Sequence, residues 1–202
     1  MADLEFYGKG HTYMVDGERI PCVSDLTRFI SREVYGEAPQ WRLEAAAVKG
    51  TAVHAATEAL DKAGTAEIEE EYSGYLEAYA KFLREHEVRW ELVEHPDWHE
   101  GDRYAGTIDR YGLIDGALVL VDLKTVYTVH KVLYGASLNL YRRILEHRGY
   151  EVEKLAILHL RRDGSYRLIW LPTDEEMPTL LLALHGKMQK KRRNNERRTE
   201  TQ

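Results

Sequence analysis

The sequence predicts one α+β domain, built on a small, mixed but mainly antiparallel sheet that is flanked by helices. Two pairs of β-rich segments are each joined by an Asp-Gly dipeptide, the strongest short-range signal of a tight hairpin. Around them lie segments whose apolar residues recur every three or four positions, which is the period of an amphipathic helix. No repeat or linker divides the chain, so we expect residues 1–186 to form a single domain and residues 187–202 a basic, partly disordered tail.

The N-terminal half predicts a short hairpin and then helices. Apolar residues alternate up to Val15, and Asp16 with Gly17 indicates a turn. Ser24 is suited to cap a short helix. Two long helices follow, over about residues 41–62 and 66–87, and the second carries an aromatic stripe that we expect in the core. The stripe expected to bury the first long helix comprises Trp41, Ala45, Val48, Ala52, Ala55 and Ala59.

The C-terminal half predicts two hairpins and two helices. The first hairpin pairs residues 104–113 with 117–126, and the second pairs residues 154–160 with 166–171. A helix over residues 130–147 connects them, with Gly149 as its C-terminal cap. Thr173 and Glu176 form the pattern of a capping box for a last helix.

Composition excludes several classes of protein. A chain of 202 residues buries enough surface to fold without disulfides. Its single cysteine, Cys22, cannot form an internal disulfide, a four-cysteine zinc site or an iron–sulfur cluster, which favours a reducing, cytoplasmic setting. No segment has the roughly 20 apolar residues needed to span a bilayer, so we expect no membrane partner.

The net charge of -6 is unevenly distributed along the chain. Residues 186–202 carry seven Lys or Arg against two Glu, a balance of +5, which leaves -11 on residues 1–185. The acidic total therefore does not exclude a nucleic acid as partner. The basic tail is either a solvated end or an arm that binds phosphates, and such binding weakens steeply as salt rises.

An acidic pair lies in the first hairpin. If Asp115 and Gly116 are the turn residues, the register places Asp109 directly opposite Asp122, among apolar residues. Two carboxylates about 4 Å apart repel by roughly 4 kcal/mol at an effective dielectric constant near 20. A protonated carboxyl group, an ion pair with Lys124 or a bound divalent cation would offset this repulsion. We favour the cation, because converging carboxylates are how Mg²⁺ is usually held.

His54 is a further candidate ligand. On a helical wheel it falls on a narrow face with Ala47, Gly50, Thr51 and Glu58, away from the predicted apolar stripe. The small residues there would let a ligand or another backbone approach closely. A single histidine on a helix is also common as a packed or solvated side chain, and both interpretations stay open.

Taken in order, these segments resemble the PD-(D/E)XK nuclease superfamily, and within it the RecB-like and phage-type exonucleases. The N-terminal run HTYMVDGERIPCVSDL is similar to the opening of phage exonucleases of that group. The resemblance extends over about residues 11–150 and implies a restriction-endonuclease-like core. It is carried by the motifs KGTAVH, GTID and DLK, which end at His54, Asp109 and Lys124, and by Leu138 and Tyr141 on a later helix.

The resemblance implies a metal-dependent deoxyribonuclease that hydrolyses phosphodiester bonds, with Mg²⁺ or Mn²⁺ as cofactor. The catalytic residues that it implies are Asp109, Asp122 and Lys124. Tyr141 would support the site or contact substrate. The implied metal ligands are His54, Asp109, Asp122 and the carbonyl group of Leu123.

Three positions near these motifs bear on the assignment. Ser137 stands where the family usually has Gln, which puts the role of that helix in doubt. Glu94, before the strand that leads to GTID, either supplies another carboxylate or is solvated on an edge strand, and we prefer the solvated interpretation. Glu91 is a weaker candidate for the same role. The lone Cys22 excludes the subgroup of relatives that carry an iron–sulfur cluster.

The expected function is that of an exonuclease in phage or prophage recombination or end processing, in the cytoplasm of a bacterial or phage-infected cell. DNA is the expected partner, and a single-strand annealing or recombination protein and a second copy of the chain are further candidates. The alternatives are a catalytically silent DNA-binding or protein-interaction module on the same fold and, more distantly, a glycoside hydrolase. Retention of a repulsive carboxylate pair beside Lys124 argues against the silent module.

Overall fold

The computed structural model describes residues 3–8 and 12–199. At its N-terminus lies a three-stranded antiparallel sheet of β1 (Leu4–Tyr7), β2 (Thr12–Val15) and β3 (Glu18–Ile20). Asp16 and Gly17 have positive φ angles of 53° and 76° between β2 and β3, so the predicted turn is confirmed. Two short helices follow, α1 (Val23–Leu26) and α2 (Arg28–Tyr35), and Cys22 rather than Ser24 occupies the N-cap of α1.

A five-stranded mixed sheet forms the centre of the molecule, in the order β4-β5-β6-β7-β8. Strands β6 and β7 run parallel, and the other neighbouring pairs are antiparallel. Helix α5 (Lys131–His147) connects β6 to β7, because parallel neighbours need a crossover connection. Both predicted hairpins are present, the second with the predicted bounds. The strands are β4 (Val88–His99), β5 (Tyr104–Ile114), β6 (Ala117–Lys124), β7 (Lys154–Leu160) and β8 (Tyr166–Leu171).

Helices cover both faces of this sheet, so the predicted α+β class with a mixed, mainly antiparallel sheet is confirmed. Helices α3 (Gln40–Ala63) and α4 (Ser73–Glu85) pack on one face, where Tyr79 and Phe82 bear out part of the predicted aromatic stripe. Helix α5 packs on the other face through Leu133, Leu138 and Leu145. Within the described residues, no helix combines the length and apolar character needed to cross a bilayer.

The predicted buried stripe of α3 is wrong. Trp41 and Val48, which belong to that stripe, are 64% and 63% exposed. The helix instead buries Val53, Ala56 and Thr57 against α4 and the sheet. Because alanines occur on every face of this helix, the sequence does not distinguish one apolar face clearly. The face that packs is the one with the β-branched residues Val53 and Thr57.

Other details of the secondary structure also differ from the predictions. Helix α4 begins at Ser73, several residues later than expected. Strand β4 is longer than the edge strand considered around Glu94, and Pro96 within it is compatible with its edge position. The last helix, α6 (Met177–Thr199), is capped by Asp174, whose Oδ1 accepts hydrogen bonds from the backbone N–H groups of residues 176 and 177, and not by Thr173. Residues 187–199 belong to this helix.

Candidate metal and catalytic site

The site begins where β5 and β6 separate. The two strands pair from Ile114 with Ala117 to Arg110 with Val121, which is the predicted register. One residue beyond the last pair, a side chain takes the place of a backbone acceptor between the strands: Asp109 Oδ2 accepts a hydrogen bond of 2.8 Å from Leu123 N–H. The strands therefore separate where the acidic residues lie, and the carbonyl oxygen of Leu123 contacts His54 Nε2 on helix α3 and Lys124 Nζ, at 3.3 and 3.2 Å.

His54, Glu94 and Asp109 converge at this opening. Each offers a ligand atom, and the three atoms lie within 4.8 Å of one another. His54 Nδ1 is 2.9 Å from Glu94 Oε1, and His54 Nε2 is 3.3 Å from the carbonyl oxygen of Leu123 and 3.9 Å from Asp109 Oδ2. One nitrogen and two carboxylates at this spacing form a donor set suited to a divalent cation such as Mg²⁺ or Mn²⁺.

The ring of His54 is held by negative groups on both sides. Burial lowers the pKa of His54, but the carboxylates of Asp109 and Glu94 outweigh it and raise that pKa to about 9. At neutral pH without a metal, the ring is therefore an imidazolium that donates to Glu94 and to Leu123. The Nε2 proton points toward the Leu123 carbonyl oxygen and Asp109 Oδ2, which a cation would also contact. These oxygen atoms therefore favour a positive charge at this position.

Glu94 is part of the site, so the interpretation of a solvated glutamate is wrong. Its side chain is 17% exposed and accepts hydrogen bonds from His54 and from Arg110 Nη1, both at 2.9 Å. Burial raises the pKa of Glu94, but these two cationic partners outweigh it and hold the pKa below its usual value. Glu91 stays exposed at a bulge in β4 and does not join the described cluster.

Asp122 and Lys124 form a second, adjacent pair on β6. Lys124 Nζ lies 2.6 Å from Asp122 Oδ2, and this contact is ionic, because that buried oxygen has no well-aligned hydrogen bond among the described residues. Burial raises the pKa of Asp122 to about 6, although Lys124 acts against the shift. Burial lowers the pKa of Lys124, but Asp122 and Asp109 outweigh it and raise that pKa. Asp122 therefore lies beside the His54 cluster, outside the set of three, with its Oδ2 paired with Lys124.

Aromatic residues support the Lys124 side chain. Its ammonium group lies 5.1 Å from the ring centre of Tyr134 on α5, and Tyr134 shares a hydrogen bond of 2.7 Å with the hydroxyl group of Tyr35. The ammonium is therefore held between a carboxylate and a ring face, where it is a fixed positive charge rather than a base.

A cavity of about 680 Å³ opens onto this cluster. Gly50 and Thr51 line it beside His54, and a side chain added at Gly50 would meet open space, as expected for the narrow face of this helix. Tyr13 of the N-terminal sheet lines the opposite side and bonds Thr107 at 2.8 Å. Tyr141 also lines it, and burial together with Asp109 and Asp122 raises its pKa well above the usual value. The N-terminal sheet thus forms one wall of the site.

Two residues of the α5 region and β5 complete the comparison with the predictions. Ser137 bonds the Leu133 carbonyl one turn earlier at 3.3 Å, and it does not belong to the described cluster. Arg110 was missed by the sequence analysis, although it is fully buried and binds Glu94 directly. The available signal was a charged residue between Ile108 and Tyr111 in a segment predicted to be buried.

The comparisons with known proteins give no family. A scan of the chain against protein-family models finds no match, and no curated protein matches it significantly.

Proposed function

We propose that this protein is a metal-dependent deoxyribonuclease with a restriction-endonuclease-like core, acting as an exonuclease in phage or prophage recombination or end processing. The observation that carries the proposal is the convergence of His54, Glu94 and Asp109 within 4.8 Å, next to the Asp122–Lys124 pair. These groups come from α3, β4, β5 and β6, and four of the five belong to the motifs on which the resemblance to PD-(D/E)XK nucleases rests.

The residues present fit a divalent cation. His54, Asp109 and the Leu123 carbonyl group would hold it, with the carboxylate of Asp122, which is paired with Lys124, as a further donor. A bound Mg²⁺ or Mn²⁺ would supply positive charge to the phosphoryl oxygens of the scissile phosphate.

The chain's own groups perform the remaining work. Lys124 holds a fixed ammonium beside the acidic cluster, where it neutralises charge that develops on a phosphate. The wall formed by Tyr13 and Tyr141 narrows the cavity and orients a strand end within it. The exposed side chains of Lys187, Lys190 and Lys191 on α6 offer further contacts to the phosphate backbone.

Cleavage of labelled DNA tests the proposal. End-labelled linear duplex, linear single strand and closed circular DNA are incubated with the protein in Mg²⁺ and in chelator. We expect degradation of linear DNA in Mg²⁺, survival of the circle, and loss of cleavage in Asp109→Asn and Lys124→Met. Matched controls are Asp163→Asn in an exposed turn and Lys81→Met on the surface of α4, which should cleave as the unmodified protein does.

The same assay separates the alternatives. Undiminished cleavage by both site variants would exclude this site as the catalytic one. Binding of DNA without cleavage in any divalent cation would favour the silent module, and cleavage of the circle would favour an endonuclease.

Metal binding is measured independently by thermal unfolding. A ligand at about 100 times its Kd stabilises a protein by roughly 2.7 kcal/mol, which corresponds to a rise in Tm of about 5–11 °C for a chain of this size. We expect this rise on adding Mn²⁺ to the wild type but not to Asp109→Asn. An equal rise in both proteins would place the metal elsewhere.

A further inference from the structure

The two nitrogens of His54 face different partners. Nδ1 is 2.9 Å from Glu94, whereas Nε2 faces the Leu123 carbonyl at 3.3 Å and Asp109 Oδ2 at 3.9 Å. The ring therefore separates Glu94 from the other oxygen donors. A cation held by Nε2 would contact Asp109 and Leu123, and Glu94 would lie behind the ring.

Glu94 is anchored from the interior of the protein. Arg110 Nη1 donates to Glu94 Oε1 at 2.9 Å and to the backbone carbonyl of Asp109 at 2.6 Å. Its Nε donates to Asp61 Oδ2 at 2.7 Å, and its Nη2 donates to Thr57 Oγ1 at 3.0 Å. Since Arg110 is fully buried, this set of bonds fixes both the position and the charge of Glu94.

A carboxylate that is already paired with a guanidinium group, as Glu94 is, is a good hydrogen-bond acceptor and a poor metal ligand. An ionised carboxylate only accepts hydrogen bonds, so the Nδ1 of His54 must carry a hydrogen atom. The charge of Glu94 is already balanced by a guanidinium group, whereas the side chain of Asp109 contacts a backbone amide and the His54 ring. Carboxylates that accept from the remote nitrogen of a metal-bound histidine fix its tautomer and orientation.

The backbone of Glu94 supports a specific role. Its φ angle is 46°, in the left-handed region, although it lies inside a strand. This conformation is unfavourable for a residue that has a Cβ atom. Strain of this kind persists where the surrounding structure requires one side-chain direction.

We propose that Glu94 is a positioning residue, which fixes the tautomer of His54 so that Nε2 is the metal-binding nitrogen, and that it is not itself a ligand. This inference rests on the proposed function, because it concerns the same metal site. It divides the three converging groups into two that bind the cation and one that orients the histidine.

Calorimetric titration with Mn²⁺ in the absence of DNA tests the division. Glu94→Gln keeps an acceptor for Nδ1–H, so we expect its Kd for Mn²⁺ to rise by about 10-fold or less, and that of Glu94→Ala by about 10- to 100-fold. Asp109→Asn removes a ligand and should exceed both losses. Glu94→Gln as impaired as Asp109→Asn, or Glu94→Ala as tight as the wild type, would overturn the inference.

Nitrogen-15 NMR of the Mg²⁺-loaded wild type provides a readout that requires no variant. We expect a protonated Nδ1 and a metal-shifted Nε2 at His54, and the reverse assignment would overturn the inference. The outcomes also separate it from the proposed function. A wild type that binds no Mn²⁺ defeats both, whereas a wild type that binds Mn²⁺ through Nδ1 and Glu94 defeats the inference alone.

Discussion

Replacing Arg110 by methionine tests whether a buried cation holds the interior side of the site together. Its side chain is fully buried, and two carboxylates depend on it: that of Asp61, 5% exposed, and that of Glu94, 17% exposed. Methionine keeps the length and apolar stem of the side chain but removes every donor. Asp61 is then left inside the protein without a cation, and Glu94 keeps only the His54 ring as a cationic partner.

The expected loss is large because buried Asp61 is left without a counter-ion and Glu94 loses one of its two. Removing one partner of a buried ion pair costs about 3–5 kcal/mol. In a chain of this length each kcal/mol lowers Tm by about 2–4 °C, so we expect a fall of about 6–20 °C in thermal unfolding followed by circular dichroism. The urea midpoint should fall as well, with an unchanged slope.

Two further variants control this experiment. Lys81→Met removes an exposed lysine 3.9 Å from Glu85, and we expect a loss below about 1 kcal/mol. Adding Asp61→Asn to Arg110→Met neutralises the carboxylate that has lost its counter-ion and should recover part of the lost stability. A loss below about 1 kcal/mol in Arg110→Met, or no recovery in the double variant, would refute this account of the network.

Three further experiments probe the site and its walls by substitution. Gly106→Ala places a methyl group against the Tyr141 ring, so we expect a loss of about 1–3 kcal/mol in the free energy of unfolding. Adding Tyr141→Leu to the same chain should relieve this loss, and an unaffected single variant would contradict the packing. Tyr134→Phe keeps a ring beside the Lys124 ammonium group, whereas Tyr134→Leu does not. The rate at which end label is released from DNA should therefore fall in the leucine variant alone. Equal rates in the two variants would contradict a role of the Tyr134 ring in holding Lys124. Burial raises the pKa of Tyr13 to about 12, so the contribution of Tyr13 to stability is complete below pH 10 and is lost as pH rises toward 12. We therefore expect the urea midpoint of Tyr13→Phe to fall less over that pH range than the midpoint of the wild type. An unchanged curve would show that another group titrates.

The hairpins were predictable because their signals are local. Asp115 has a φ angle of 51° and Gly116 one of 83°, as a two-residue turn of this kind requires. Once the turn is known, the register of the flanking strands follows by counting, and the observed pairs agree with it up to Arg110 and Val121. The proximity of Asp109 to the β6 strand was therefore accessible from the sequence.

The burial of α3 was not accessible in the same way. A helical period shows which residues share a face, but not which face meets the rest of the protein when alanine occurs on several of them. Asp61 on this helix faces the interior because it accepts hydrogen bonds from the buried side chains of Arg110 on β5 and Tyr79 on α4. A local pattern contains no information on contacts between such distant segments.

Glu94 combines both difficulties, which explains why it was taken for a solvated side chain. The pairing of β4 with β5 shifts between Trp90 and Leu92, so the alternation of inward and outward residues is broken before Glu94 is reached. Trp90 packs on the face covered by α3 and α4, whereas Leu92 packs on the face covered by α5. The left-handed backbone at Glu94 then turns its carboxylate toward His54, 40 residues earlier in the chain. Because two irregularities interrupt this part of β4, the alternation of side chains along the strand cannot be used to assign the direction of Glu94. A charged residue just after a bulge in an edge strand should therefore be weighed as a site residue whenever a histidine on a neighbouring helix lacks a partner.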